Sequence, residues 1–420
     1  MADTIQVEIE ALGAQGDGIA THEGQKVYIP RTLPGELVTV QPAGKQGDGM
    51  AADLRSVERA SEDRAKARCK HFALCGGCSL QHMQTPAYLQ FKAELVSRAL
   101  AQRGLDDVPV DPPLAFGPGL RRRVTVAAKK RKGRVTLGFH ERRGHNIVDA
   151  TQCPVAHPDI VALFEPLRIF LNDLLLGGQG VSVAMTKSDT GIDMVIDAEF
   201  SLEMDMREKV ADFALAQDLA RITWGYARDE EPVIVLRAPI VTSHETKVAL
   251  PTSVFLQASA ESEAALVQFV MRETAQAQNI AELFSGCGTF SFPLASRAQV
   301  DAFDIDIGMV EAVRMALPPG QDATRLTTMR RDLFREPLTV AELNNYDTAV
   351  LDPPRAGARA QCEELAASDV ADIVMVSCNP ASFARDARIL IDGGYQLDSI
   401  QPVDQFLWSP HIELMASFYR

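Results

Sequence analysis

Two short stretches carry residues that could do chemistry together. Cys378 closes the apolar run of "VMVSCNP" (374–380), and Asp352 closes that of "LDPPRAG" (351–357). Each run reads as a strand ending in a proline turn, and the two tips lie 26 positions apart, so a thiol and a carboxylate are expected to face one pocket. A third stretch, "ELFSGCGTF" (282–290), places Gly286 and Gly288 at a strand-to-helix turn, where missing side chains let backbone approach a ligand. Asp304 follows Gly288 by 16 positions and ends the next strand, where a carboxylate can accept both hydroxyls of a ribose. The third glycine of a dinucleotide fingerprint is missing, since Ser291, Phe292 and Pro293 stand there.

An acid followed by two prolines makes a stiff turn that displays carbonyls and offers no proline amide hydrogen. Asp-Pro-Pro at this place resembles S-adenosylmethionine-dependent methyltransferases, especially those acting on flat nitrogenous rings. Beside a methyl donor a thiolate has a distinct use. Carbon 5 of uracil is too weak a nucleophile to take a methyl group, but addition of sulfur at carbon 6 makes it electron-rich. A base must then remove the carbon 5 proton before sulfur can leave. Glu413, in "WSPHIELMASFYR" and 35 positions after Cys378, is the candidate base. The plainer alternatives are a small buried thiol at Cys378 and a surface glutamate at Glu413.

The elements that would position these residues alternate strand and helix from about residue 261 onward. That rhythm predicts an α/β fold, a parallel sheet with helices on both faces, and ligands bind beyond the carboxyl ends of such strands. Residues 261–420 are thus expected to form a Rossmann-like methyltransferase domain of class I. Residues 61–260 mix strands and helices and are expected to form a central α+β domain, with an amphipathic helix over 86–104 that can pack on the C-terminal domain. Residues 1–60 read as about five short strands separated by Gly and Pro, a small β-barrel. Within it "GDGIA", "VYIP" and "LPGE" resemble the TRAM domain, an oligonucleotide-binding-like barrel of RNA-modifying enzymes.

Seven cysteines and an N-terminus without a basic-then-apolar leader suggest a reducing compartment, expected to be the cytoplasm, where clustered thiols bind metal rather than form disulfides. No apolar run is long enough to span a bilayer. Cys69, Cys75 and Cys78 are spaced C-x5-C-x2-C, and Cys153, followed by Pro154, is a distant fourth. Such a set suits zinc or a [4Fe-4S] cluster, and spacing does not separate them. Cys287 and Cys362 read as structural. The net charge of -14 opposes a nucleic-acid partner, yet ten Lys or Arg residues lie between Arg121 and Arg143 against one acid, Glu141. That strip is either a solvated hairpin or a polyanion contact, and it or Tyr28 could hold nucleotides.

"LFSGCGTF", "LDPPRAG", "VSCNP" and "HIE", in this order, resemble the RNA uridine-5-methyltransferase family over nearly the whole chain. The subgroup most similar is the 23S rRNA (uracil-5-)-methyltransferases with a TRAM domain and an iron-sulfur cluster. The resemblance implies that Cys378 is the nucleophile and Glu413 the base. It places the methyl donor on Gln257, Phe284, Thr289, Asp304, Asp332 and Asp352, and a [4Fe-4S] cluster on Cys69, Cys75, Cys78 and Cys153. It also implies an RNA partner, 23S rRNA before tRNA, and a monomer is the default expectation. Two positions depart from the family: "FLQAS" has Ser259 where F-x-Q-x-N has Asn, and Thr289 stands where Asn is common. An adenine or guanine N-methyltransferase would follow Asp-Pro-Pro with an aromatic, whereas Arg355 is present. A catalytically silent RNA-binding protein is the remaining rival.

Overall fold

A computed structural model describes residues 4–226, 229–317 and 325–420, so residues 1–3 of the expected barrel lie outside the described residues. The C-terminal part is built on an eight-stranded sheet. From one edge its strands are Leu326–Arg330, Gln299–Asp304, Asn279–Leu283, Thr348–Leu351, Asp372–Ser377, Glu413–Tyr419, Gln396–Asp404 and Leu114–Ala115. The first five run parallel, and Glu413–Tyr419 is inserted antiparallel to both of its neighbours. Thr348–Leu351 is buried at every position, as expected of a strand covered on both faces. The chain winds outward from Asn279–Leu283 to one edge and then returns to Thr348–Leu351 on its other side. The winding therefore reverses between these two strands, which opens a crevice beyond their carboxyl ends.

Three segments from before residue 260 are held by this sheet. Helix Thr85–Ala101 packs on helix Pro380–Asp392 and places Val96 and Leu100 in the C-terminal core. Leu114–Ala115 forms the last edge strand. The hairpin of Ile240–Ser243 and Thr246–Ala249 contributes Val248 to the core around Leu266 and Val313.

The central part has a seven-stranded sheet ordered Ile147–Asp149, Arg134–His140, Arg123–Arg131, Gly180–Ser188, Gly191–Ala198, Arg221–Tyr226, Asp229–Val235. Helices Phe164–Leu174 and Met204–Ala216 cover one face, burying Leu167, Leu171 and Phe213 against Val183 and Met185. The N-terminal sheet has six strand segments rather than five. Ile5–Glu8 lies at one edge and Ala11–Leu12 at the other, so one bent stretch of chain joins both edges and closes a barrel.

The basic strip is not a single surface. Arg142 and Arg143 pair with Asp17 of the barrel, and Arg142 also donates to the Cys78 carbonyl. Arg122 is buried against Glu263, and Lys130 donates to the carbonyls of Asn172 and Leu175. Four of the ten cations thus hold the fold together. Arg131, Lys132 and Arg134 form an exposed hairpin tip, while Arg121 and Arg123 turn to the cavity described next. Among the described residues no helix is long and apolar enough to cross a membrane.

Candidate active site

At the crevice lies a cavity of about 540 Å³ whose wall includes Cys378, Glu413, Asp352 and Gly286. Cys378 follows strand Asp372–Ser377 and stands half-buried at its tip. Asn379 then caps helix Pro380–Asp392 through its side-chain oxygen, while its Nδ2 donates to the Arg355 carbonyl at 2.8 Å. Ser382 Oγ donates to the same carbonyl at 3.1 Å. The Arg355 carbonyl displayed by the proline turn therefore fixes the thiol's turn beside Asp352.

Glu413 begins the inserted strand and is 2 % exposed. Burial, then the nearby Asp352, raises its carboxyl well above the ordinary range. Asp352 keeps some surface on the cavity, yet desolvation raises it as well, opposed by a hydrogen bond from Gln257 Nε2 at 3.0 Å. Two enclosed carboxyls of like charge resist joint ionisation. The Cys378 thiol is pushed up to about 12 by burial and then by Glu413 and Asp352, with Arg355 acting in the opposite sense. The protonated thiol is thus the resting form, and a nucleophilic role requires that its proton be given up.

The other end of the cavity has a nucleotide-like character. Gly286, at φ 56°, donates its N–H to Asp304 Oδ2 at 2.9 Å, and Asp304 Oδ1 accepts from Asp306 N at 2.9 Å. These bonds hold the Asp304 carboxylate at the rim with lone pairs to spare. Phe284 adopts φ 64°, rare for an aromatic, and its ring meets Phe334 at 5.6 Å between centroids. Gln257, Phe284 and Thr289 all line the cavity. Two expected contacts do not. Gly288 faces inward, where an added Cβ would lie 2.7 Å from the Phe292 ring, so its smallness serves packing. Asp332 turns back on its own loop, accepting from Phe334 N at 3.1 Å and lying 3.6 Å from Arg335. Cys287 is buried at the cavity wall and Cys362 is in the core.

Cys69, Cys75, Cys78 and Cys153 line a second cavity, of about 510 Å³. Phe255, Phe406 and His411 belong to both walls, so the two cavities adjoin. Among the described residues no three His, Cys, Asp or Glu side chains converge closely enough to hold a metal ion. The Arg121 guanidinium lies 5.7 Å from the Phe406 ring centre and that of Arg123 lies 5.6 Å from Phe255, which is 57 % exposed. Ser79 and Leu80, next to Cys78, donate their N–H groups to the Trp408 carbonyl at 2.8 and 3.0 Å. The cysteine loop is therefore bonded to the loop 405–412 that precedes Glu413. Tyr28 lines neither cavity and donates to Asp48.

Sequence reasoning missed Gln405 and Lys92. Gln405 donates to both Glu413 and Gln257. Lys92, fully buried, pairs with Asp404 and donates to the His411 carbonyl. A lysine on the apolar face of Thr85–Ala101 was the one signal that could have found it.

A doubly wound sheet with a glycine turn and Asp-Pro-Pro at its winding reversal defines a Rossmann-like methyltransferase. Residues 237–418 match the tRNA (Uracil-5-)-methyltransferase family and residues 2–41 match the TRAM domain. An uncharacterized RNA methyltransferase of Mesorhizobium japonicum is 40% identical, over 97% of this chain and 96% of its own. A 23S rRNA (uracil(1939)-C(5))-methyltransferase, RlmD, of Shewanella frigidimarina is 31% identical, over 99% and 95%. The crystal structure of a Pyrococcus abyssi tRNA (uracil-54, C5)-methyltransferase, in complex with S-adenosyl-L-homocysteine, has a similar fold: TM-score 0.77, 24% identity, 98% of this chain and 99% of that one. The chain belongs to the RNA (uracil-5-)-methyltransferase family.

Proposed function

We propose that the protein uses S-adenosyl-L-methionine to methylate carbon 5 of a uridine in 23S rRNA, with Cys378 as nucleophile and Glu413 as base. The observation that carries this reading is the convergence of Cys378, Glu413, Asp352 and the Gly286 turn on one cavity. Its volume of about 540 Å³ suits a small-molecule donor beside a single base. Gln257, Phe284, Gly286, Thr289, Asp304 and Asp352 would hold that donor, which supplies an electrophilic methyl group to carbon 5.

Cys378 gives its proton to solvent, Sγ as thiolate bonds to carbon 6 of the uracil, and the ring electrons move to the carbon 4 oxygen as an enolate. Carbon 5 is then nucleophilic. Once it carries the methyl group, Glu413 accepts the remaining carbon 5 proton, the carbon 5–carbon 6 double bond re-forms, and the thiolate leaves. Raised basicity suits Glu413 to that step, and the Arg355 charge favours the thiolate. A uridine in an RNA loop can leave its stack at low cost to enter such a pocket. Phe255, exposed beside Arg123, offers a neighbouring base a stacking face.

Cys69, Cys75, Cys78 and Cys153 would hold a [4Fe-4S] cluster. A tetrahedral zinc, with bonds of about 2.3 Å, would draw its thiolates within about 4 Å of one another. Four thiols lining one cavity, three of them on the 69–78 loop, are the all-sulfur donor set that such a cluster takes. The group would cross-link the 69–78 loop to Cys153.

The 23S rRNA target is supported by the RlmD relative. A tRNA target is the second reading, favoured by the match of residues 237–418 to the tRNA (Uracil-5-)-methyltransferase family. Mapping 5-methyluridine across total RNA, with and without this protein, decides: loss at one or more 23S positions is expected, and loss confined to tRNA overturns the rRNA assignment.

A further inference from the structure

Gln405 stands behind the cavity wall, 7 % exposed, between strand Gln396–Asp404 and the loop that leads to Glu413. Its orientation follows from its neighbours. The Ala258 N–H, which can only donate, points to Gln405 Oε1 at 3.2 Å, and Ser262 Oγ lies 3.1 Å from the same oxygen. The amide nitrogen must therefore face the other way. There it donates one hydrogen to Gln257 Oε1 at 3.1 Å and the other to Glu413 Oε2. Gln257, its oxygen so engaged, is left with its own nitrogen toward Asp352 Oδ2 at 3.0 Å. One backbone N–H thus sets the direction of a chain running Gln405 to Glu413 on one branch and through Gln257 to Asp352 on the other.

We infer that Gln405 is a positioning residue for proton removal: its amide holds the Glu413 carboxylate in accepting form and ties the base to the Gln257–Asp352 pair. The inference rests on the reading of Glu413 as base. It concerns one step, the removal of the carbon 5 proton, because the amide reaches Glu413 and has no bond to Cys378. A donor aimed at a carboxylate favours the charged form. That is the one contact opposing the burial and the Asp352 charge that raise Glu413. The other titratable groups lining this cavity are Cys378, Arg355, His411, Cys287, Asp304, Asp306 and Arg331, and the Lys92–Asp404 pair lies behind it. The carboxamide comes from a position adjoining Asp404, where the sequence pattern carried no sign of one. Ser259 caps helix Ala260–Glu273.

The test uses Gln405→Met and Gln405→Leu in the full-length protein, with ordinary target RNA, with 5-fluorouridine RNA, and with S-adenosyl-L-methionine. Fluorine at carbon 5 cannot be removed as a proton, so trapping of fluorinated RNA reports only sulfur addition and methyl transfer. The expected result is that trapping stays near the wild-type rate, while turnover on ordinary RNA falls about ten- to a hundredfold. A covalent protein–RNA adduct should then accumulate on denaturing gels. The acid limb of kcat should move about one pH unit higher, since losing a donor favours the protonated carboxyl. Unchanged turnover and pH profile overturn the inference. So does an equal loss of trapping and turnover, which marks a general structural role. Glu413→Gln is the control: if it accumulates no adduct on ordinary RNA while still trapping 5-fluorouridine RNA, the base assignment itself is overturned.

Discussion

The Lys92 ammonium lies 2.8 Å from Asp404 Oδ1, with both side chains fully buried. Helix Thr85–Ala101 thereby grips the strand end from which the loop 405–412 departs. Tyr88 adds to the grip, donating to Asp404 Oδ2 and accepting from Trp408 N at 2.9 Å. Removing the lysine leaves Asp404 in the interior without a counter-charge. Lys92→Met is therefore expected to destabilise the protein by about 3–5 kcal/mol. Thermal unfolding checks this, and the double variant Lys92→Met, Asp404→Leu should recover part of the loss. An unchanged unfolding midpoint for Lys92→Met would show that the pair contributes little.

The two glycines of the "SGCG" turn should respond differently to alanine. Both have positive φ, 56° at Gly286 and 84° at Gly288, so each Ala costs about 1–2 kcal/mol of backbone strain. At Gly288 the new Cβ also meets the Phe292 ring at 2.7 Å, whereas at Gly286 its nearest neighbour is Met309 Sδ at 4.0 Å. Gly288→Ala should thus lower the unfolding midpoint more than Gly286→Ala. Gly286→Ala should instead raise the KM for the methyl donor, because its Cβ adds to the cavity wall.

Anaerobically purified protein is expected to be brown and to carry about four irons. Cys153→Ser should lower the iron content and the unfolding midpoint. Methylation should fall with them, since Ser79 and Leu80 bond the cysteine loop to Trp408 on the loop before Glu413. Colourless protein holding one zinc would overturn the cluster assignment.

Covalent trapping of RNA should accelerate as pH rises. The Cys378 thiol is pushed up to about 12, so its thiolate fraction grows throughout the range below that value. Arg355→Leu, which removes the one charge acting in the opposite sense, should slow trapping by a similar factor at every pH in this range. Measuring the trapping rate of 5-fluorouridine RNA from about pH 6 to pH 9 checks both expectations, and a flat profile contradicts the first.

What could be read from the sequence was what lies at strand tips. Cys378, Asp352, Gly286 and Asp304 each end a recognisable apolar run, so the doubly wound topology alone brings them to one crevice. Long-range pairing was not legible in that way. The strip from Arg121 to Arg143 looked like one basic surface because its residues are neighbours in sequence. Its partners are not: Arg143 reaches Asp17 and Arg122 reaches Glu263. Gln405 showed no local signal, since its importance comes from Ala258, Gln257 and Glu413, which meet it only in the fold. Leu114–Ala115 was too short to read as a strand and is specified by its partners Val403 and Asp404.

The most direct test of a sulfur–uracil bond is to incubate target RNA bearing 5-fluorouridine with the protein and S-adenosyl-L-methionine, then separate the products under denaturing conditions. The expected result is a stable protein–RNA conjugate attached through Cys378, present with Glu413→Gln and lost with Cys378→Ala. Methylation of ordinary RNA by Cys378→Ala, or no conjugate with the wild-type protein, would contradict it.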